Sequence, residues 1–168
     1  ARGNGNAAAV VCRDWDSQDD LDWAATRIAT FSNYQAGQSC IGVQRVYVAA
    51  AVYDDFKQRL IGKVEGLKTG DPYDDATQVG PITTRPQYKK VLEYMQIAKD
   101  EGAVCVLGGG PATRPECGRG WFVEPTIFTE VRPDMRIAQE EVFGPVLSII
   151  PFDDDDEAVE IANGTLYG

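Results

Sequence analysis

The sequence contains no histidine and only four cysteines. Cys12, Cys40, Cys105 and Cys117 lie far apart and form no Cys-x-x-Cys pair, so the spacings common in zinc sites are absent. A chain of 168 residues with 43% hydrophobic content can build its own core, which makes a disulfide scaffold unnecessary. We therefore expect no metal site and four reduced thiols, in a cytoplasmic setting.

Basic residues and long apolar runs are also scarce. The chain has 16 Lys and Arg against 26 Asp and Glu, a formal net charge of -10. Nucleic acids and anionic membranes bind clustered basic side chains, and no basic stripe is present. No apolar run approaches the ~20 residues that span a bilayer, and no charged-then-apolar leader opens the chain. We expect neither a nucleic-acid nor a membrane partner.

Strand and helix patterns alternate along the chain. Asn6 to Cys12 is a short run rich in Ala and Val, typical of a buried parallel strand, and 146–150 is a second strong strand. Shorter strand candidates are 45–49, 104–107, 122–123 and 126–128. Apolar residues at helical spacing predict helices after Ser17, Tyr53, Pro86 and Asp153. This alternation predicts an α/β fold with three layers, a mostly parallel sheet flanked by helices.

Cys40 lies in a turn rich in glycine and glutamine, between a predicted helix and a predicted strand. Gly37 permits a backbone geometry that other residues resist. A thiol just past such a turn can face a cleft in which backbone N–H groups meet a developing oxyanion. These features favour a nucleophilic thiol. The alternative is a small buried packing residue, the usual role of an unpaired cysteine.

A second segment, residues 139–145, follows about a hundred residues downstream and combines paired carboxylates, an aromatic ring and a Gly-Pro turn. Glu140 and Glu141 in isolation would form a solvated acidic pair on the surface. The Phe-Gly-Pro sequence directly after them favours a built site instead.

The two segments together resemble the aldehyde dehydrogenase superfamily. The family's cysteine signature, Gly-Gln-x-Cys with an arginine five residues on, is matched by Gly37, Gln38, Cys40 and Arg45. Its cofactor signature, Glu-x-Phe-Gly-Pro, is matched by Glu141, Phe143, Gly144 and Pro145. Shorter matches stand in the family's order at 70–72, 79–81, 108–109, 125–126 and 163–168. The resemblance therefore covers nearly the whole chain.

The resemblance implies an enzyme that oxidises small-molecule aldehydes with NAD or NADP. In this family a cysteine, here Cys40, forms a thiohemiacetal and then a thioester that water hydrolyses. Glu141 is implied to accept hydrogen bonds from the hydroxyls of the nicotinamide ribose, and Phe143 to hold that end of the cofactor. Arg45 is expected to be structural, bonding backbone carbonyls in the loop after the nucleophile.

One position departs from the family pattern. The family's general-base glutamate belongs to a Glu-Leu-Gly-Gly segment before the first strand, where this sequence has Arg2. The resemblance also implies that residues 1–168 are a single, partial catalytic domain, without the dinucleotide-binding domain and the C-terminal segment. We expect a longer, homo-oligomeric parent enzyme and a fragment that alone is inactive as a dehydrogenase.

Two other functions stay open at this point. A stand-alone binding or regulatory module could keep the fold and lose catalysis, with Arg2 in place of the base. A thiol-dependent hydrolase of activated esters would need only Cys40 and oxyanion donors.

Overall fold

The computed structural model describes residues 5–167, which form a five-stranded sheet flanked by helices. The strands are β1 (Ala7–Val11), β2 (Val43–Ala49), β3 (Val104–Leu107), β4 (Thr126–Thr129) and β5 (Val146–Phe152). They are ordered β1-β2-β5-β4-β3. All neighbours are parallel except β3, which runs antiparallel to β4. The prediction of a mostly parallel α/β sheet is confirmed.

Within residues 5–167, five α-helices accompany the strands. They are α1 (Gln18–Asn33), α2 (Tyr53–Glu65), α3 (Arg85–Asp100), α4 (Arg136–Gln139) and α5 (Asp155–Asn163). Short 3-10 segments lie at Ala50–Val52 and Pro115–Cys117. The segment Tyr34–Gly37 is a tight turn in which Gln35 and Ala36 have positive φ values of 52° and 56°.

The first helix begins directly after Ser17, as the sequence predicts. The hydroxyl of Ser17 accepts a hydrogen bond from the Asp20 N–H at 3.1 Å, which satisfies one of the free donors of the first turn. Residues at helical spacing form its buried face, which includes Leu21, Ala24, Ala25, Ile28, Ala29 and Ser32. This face packs into the core, and the chain continues from the end of α1 through Tyr34–Gly37 to Cys40.

One short strand prediction was wrong. Residues 122–123 form no regular strand, because Val123 makes only an isolated bridge with Pro111. Pro111 has no N–H to donate to a ladder, and Pro125 follows two residues after Val123. The segment between β3 and β4 is therefore a loop whose two ends, at residues 110–112 and 122–124, are hydrogen-bonded to each other.

The order of the strands determines where the candidate residues meet. Cys40 lies just before β2, Glu141 lies before β5, and Gly5 lies just before β1. Because β1, β2 and β5 are adjacent and parallel, the segments that precede them gather at the same edge of the sheet. Residues far apart in sequence thus share the amino ends of three neighbouring strands.

Candidate active site at the amino ends of three strands

Cys40 is presented on a tight turn. Gly42 donates its N–H to the carbonyl of Ser39 at 3.0 Å, which closes a turn with Cys40 at its second position. The side chain of Cys40 is exposed, which excludes the alternative of a buried packing residue. No acceptor from residues 5–167 takes the N–H of Cys40, so that donor is free to bind another group.

Two of the remaining cysteines lie in less reactive environments. Cys117 is buried and Cys105 is half-buried. Burial raises the pKa of both thiols, because it disfavours the charged thiolate. Since the thiolate is the nucleophile, these two cysteines are poor candidates for covalent chemistry.

Gln38 fixes the approach to the turn. Its side-chain oxygen Oε1 accepts hydrogen bonds from the backbone N–H and the hydroxyl of Thr83, both at 2.9 Å. Its amide nitrogen donates to the carbonyl of Pro81 at 3.3 Å. The glutamine of the cysteine signature therefore attaches this loop to the segment that leads into α3.

The cysteine loop and the downstream signature touch through their backbones. Gly37 has φ +71°, in the left-handed region that favours glycine. A Cβ at this position would lie 2.0 Å from the carbonyl oxygen of Gly144 and 2.6 Å from the nitrogen of Pro145. Only a residue without a side chain allows this approach, so the two signature segments pack as one unit.

Glu141 lies three residues before Gly144, and part of its carboxylate is unsatisfied. Its Oε1 atom is buried and has no hydrogen-bond partner among residues 5–167. The carboxylate packs onto the backbone of Gly5, where a Cβ would lie 1.5 Å from Oε1. A buried carboxylate oxygen without a donor is costly, so Glu141 departs from the usual rule that buried polar atoms are hydrogen-bonded.

Glu140 is held quite differently from its neighbour. Arg136 donates two hydrogen bonds to its carboxylate, at 2.9 and 3.0 Å, and the hydroxyl of Tyr94 donates a third. These donors lower the pKa of Glu140, while burial together with the nearby Glu140 raises the pKa of Tyr94 to about 12. Glu140 is thus a satisfied structural carboxylate, and the two neighbouring glutamates are not a solvated pair.

Three side chains that the sequence interpretation missed hold the backbone around Glu141. Gln44 bonds the Glu140 carbonyl and the Val142 N–H, both at 3.0 Å. Lys90 donates to the carbonyl of Glu141 at 2.8 Å. Gln87 donates to the next two carbonyls, of Val142 and Phe143, each at 2.9 Å. The only signal in the sequence was a polar residue, Gln44, inside a strand that is otherwise mostly apolar.

The structure places the predicted cofactor residue Phe143 in an uncommon backbone conformation. Its φ is +58°, and its side chain is half-buried. Left-handed geometry at a bulky residue is strained and persists only where the surroundings impose it. The Gln87 bond to the Phe143 carbonyl is one such constraint.

Arg45 is structural, but it holds a different segment from the one expected. Its guanidinium donates twice to the carbonyl of Asn6, at 3.0 and 2.8 Å, and once to the Tyr47 hydroxyl at 2.8 Å. A longer bond of 3.4 Å reaches the carbonyl of Ala162 in α5. Arg45 therefore ties β2 to the entry of β1 and to the last helix, rather than to the loop after Cys40.

Three further sequence predictions concern Arg2, a metal site and a membrane-spanning helix. Arg2, at the position of the family's general base, lies outside the described residues. Within residues 5–167, no group of three His, Cys, Asp or Glu side chains is arranged to hold a metal ion. None of the helices in that range is both long and apolar enough to cross a membrane.

Comparison with known proteins decides which family this geometry belongs to. The sequence model of the aldehyde dehydrogenase family matches residues 2–168 of this chain. The chain belongs to the aldehyde dehydrogenase family. The resemblance inferred from the two signature segments is therefore confirmed.

Relatives in this family are similar over nearly the whole chain. Betaine aldehyde dehydrogenase of Brucella anthropi is 44% identical over 164 residues, covering 98% of this chain and 33% of the relative. The structure of Staphylococcus aureus betaine aldehyde dehydrogenase in complex with NAD+ matches with a TM-score of 0.90 at 36% identity, covering 98% of this chain and 32% of that one. The structure of 3,6-anhydro-L-galactose dehydrogenase matches with a TM-score of 0.91 at 40% identity, covering 96% and 33%. The chain spans about a third of the length of these relatives.

Proposed function

We propose that this protein takes part in the oxidation of a small-molecule aldehyde to a carboxylic acid, with NAD or NADP as hydride acceptor. The observation that supports this most is the packing of Gly37 against Gly144 and Pro145, which brings the exposed Cys40 turn and the Glu141 segment together. Membership of the aldehyde dehydrogenase family supports the reaction class. Betaine aldehyde, named in several relatives, is the first substrate to test.

Cys40 is the proposed nucleophile. Its thiolate sulfur forms a bond to the carbonyl carbon of the aldehyde, and the carbonyl electron pair moves onto oxygen to give a thiohemiacetal. The free N–H of Cys40 can donate a hydrogen bond to that oxyanion. Loss of a hydride from the same carbon restores the C=O bond and leaves a thioester on Cys40. Water then cleaves the thioester, which releases the carboxylic acid and the thiol.

Glu141 is the proposed ligand for the cofactor. Its buried Oε1 lacks a donor among the described residues, and a ribose hydroxyl supplies such a donor. The residues present therefore fit a nicotinamide nucleotide, which when bound accepts the hydride. Phe143, next to the Gly-Pro turn, is proposed to limit the movement of that end of the cofactor.

Hydrolysis of the thioester requires a base that takes a proton from water. We assign this step to no residue between 5 and 167. Position 2, where the family carries its base, is an arginine in this sequence.

Two variants test the proposal. Cys40→Ser should abolish acylation of the protein by p-nitrophenyl acetate, and in protein that turns over aldehyde it should lower formation of NADH or NADPH by about 10³-fold or more. Glu141→Gln should weaken binding of NAD+ or NADP+ roughly tenfold, because a charge-assisted hydrogen bond is lost, and should leave acylation of Cys40 unchanged. Cys12→Ser, which removes a half-buried thiol elsewhere, is the matched control.

The outcome that contradicts the proposal is also specific. Retention of full oxidation and acylation by Cys40→Ser would show that another group is the nucleophile. Tight cofactor binding by Glu141→Gln would exclude the ribose role. The predicted homo-oligomer stays a prediction, and sedimentation of the purified protein tests it.

A further inference from the structure

Gln44 makes a pair of hydrogen bonds that normally belongs to the backbone of a neighbouring strand. Its side-chain amide donates to the carbonyl of Glu140 and accepts from the N–H of Val142, so it grips both peptide groups that flank Glu141. A parallel strand engages the residues on either side of a central residue in the same way. Here a side chain takes the place of the strand.

A local irregularity of the sheet lies at Gln44, the residue whose side chain bonds the Glu140 carbonyl and the Val142 N–H. In the pairing of β1 with β2, Ala7 lies opposite Val43 and Ala8 lies opposite Arg45, so Gln44 is skipped. Pairing of β2 with β5 begins only at Arg45. Gln44 therefore stands at an interruption of the ladder on one side and before its start on the other, with only 6% of its surface exposed.

The segment that Gln44 grips has no strand or helix of its own. Residues 140–143 lie between α4 and β5, and their carbonyls are bonded by side chains. Lys90 and Gln87 reach the carbonyls of residues 141–143 from α3. Only Gln44 reaches the segment from β2, the strand that begins three residues after Cys40.

We propose that Gln44 is a positioning residue that fixes Glu141 relative to Cys40, and so sets the distance between the bound nicotinamide and the thiol. The inference rests on the proposed function, because it assumes that Glu141 binds the cofactor. An amide is required at this position, since the two bonds need one donor and one acceptor. Methionine has a similar length and shape but can make neither bond, so it isolates the hydrogen bonds from the packing.

The test compares Gln44→Met with the unchanged protein and with Gln96→Met. Gln96 lies on α3, and its amide bonds only the exposed Asp100 side chain at 2.8 Å. Binding of NAD+ and of NADP+ is measured by titration, acylation of Cys40 by p-nitrophenyl acetate without cofactor, and exchange of the Val142 amide hydrogen by NMR. In protein that turns over aldehyde, kcat and the cofactor KM are measured as well.

Gln44→Met should speed the exchange of the Val142 amide hydrogen and weaken cofactor binding by up to about tenfold, the loss expected for Glu141→Gln, since small displacements of a positioning group are costly. Acylation of Cys40 should change less than about twofold, because that reaction does not use Glu141. Gln96→Met should match the unchanged protein in all measurements. A purely structural role would instead lower acylation and cofactor binding together.

The possible failures are separable. Unchanged cofactor binding in Gln44→Met, with faster exchange of the Val142 amide, overturns the positioning role and leaves the proposed function intact. Unchanged exchange of the Val142 amide hydrogen in Gln44→Met would show that the Gln44 side chain does not hold this N–H, and would overturn the inference. Failure of the unchanged protein to bind either nucleotide overturns the proposed cofactor site and this inference with it.

Discussion

The α-carbon of Gly37 lies against the carbonyl group of Gly144, although 107 positions separate the two glycines in the sequence. This contact joins the loop that carries the thiol to the loop that carries Glu141. It is made of backbone on both sides, so it cannot adjust by a change of rotamer.

Gly37→Ala should therefore destabilise the protein. Left-handed geometry costs a residue with a Cβ about 1–2 kcal/mol, and the overlap with Gly144 adds about 1–3 kcal/mol. Urea unfolding should show a free energy of unfolding lower by about 2–5 kcal/mol. Gly62→Ala is the control, because its Cβ meets nothing within 4 Å inside α2 and should stabilise by about 0.5–1 kcal/mol. Equal stability of the two variants would contradict the close contact.

The four thiols should react with iodoacetamide in an order set by their exposure. Cys40 is exposed, while Cys117 is buried and has a raised pKa. We expect Cys40 to be alkylated first and Cys117 last, with Cys105 slowed by its own raised pKa. Peptide mass spectrometry after short exposures measures the order. Denatured protein is the control, in which the differences should disappear.

Glu140 should make the protein more sensitive to acid. Its pKa is lowered from the ordinary 4.5, first by the hydrogen bonds from Arg136 and Tyr94. The unfolded chain therefore takes up the proton first as the pH falls, so the stabilisation is complete above pH 4.5 and is lost as the pH falls through the folded pKa. Glu140→Gln should flatten this part of the curve of unfolding free energy against pH. An unchanged slope below pH 4.5 would show that the ion pair does not contribute.

Tyr94 should act at the opposite end of the pH range. Its pKa is raised from 10.0 to about 12, chiefly by burial and then by Glu140. Its contribution to stability is present below pH 10 and is lost as the pH rises from 10 to about 12, because the unfolded chain ionises first. Tyr94→Phe should remove this late tyrosinate absorbance and lower stability at neutral pH by about 1 kcal/mol. Tyr53, whose pKa is also about 12, should titrate late in both proteins.

The fold was largely predictable because its signals are local. The buried face of α1 follows the 3.6-residue period, and its first turn carries its own cap at Ser17. The antiparallel direction of β3 was not predictable, since a four-residue strand looks the same in either direction.

The site was predictable only in part. Cys40 and Glu141 could be located because the family signatures are contiguous in sequence. The supports of Glu141 could not, because Gln44 reaches residues 96 and 98 positions away and leaves no periodic pattern. The different surroundings of Glu140 and Glu141 likewise depend on Arg136 and Tyr94.

Arg45 has a consequence for the alignment of the site as a whole. It is 2% exposed, and its bonds to the carbonyl of Asn6 require it to point to one face of the sheet. A slip of β2 by a single residue would turn that guanidinium to the opposite face and leave its charge without acceptors. The buried charge of Arg45 therefore fixes the register of β2. That register in turn sets the position of Cys40, five residues earlier, without any contact between Arg45 and the thiol.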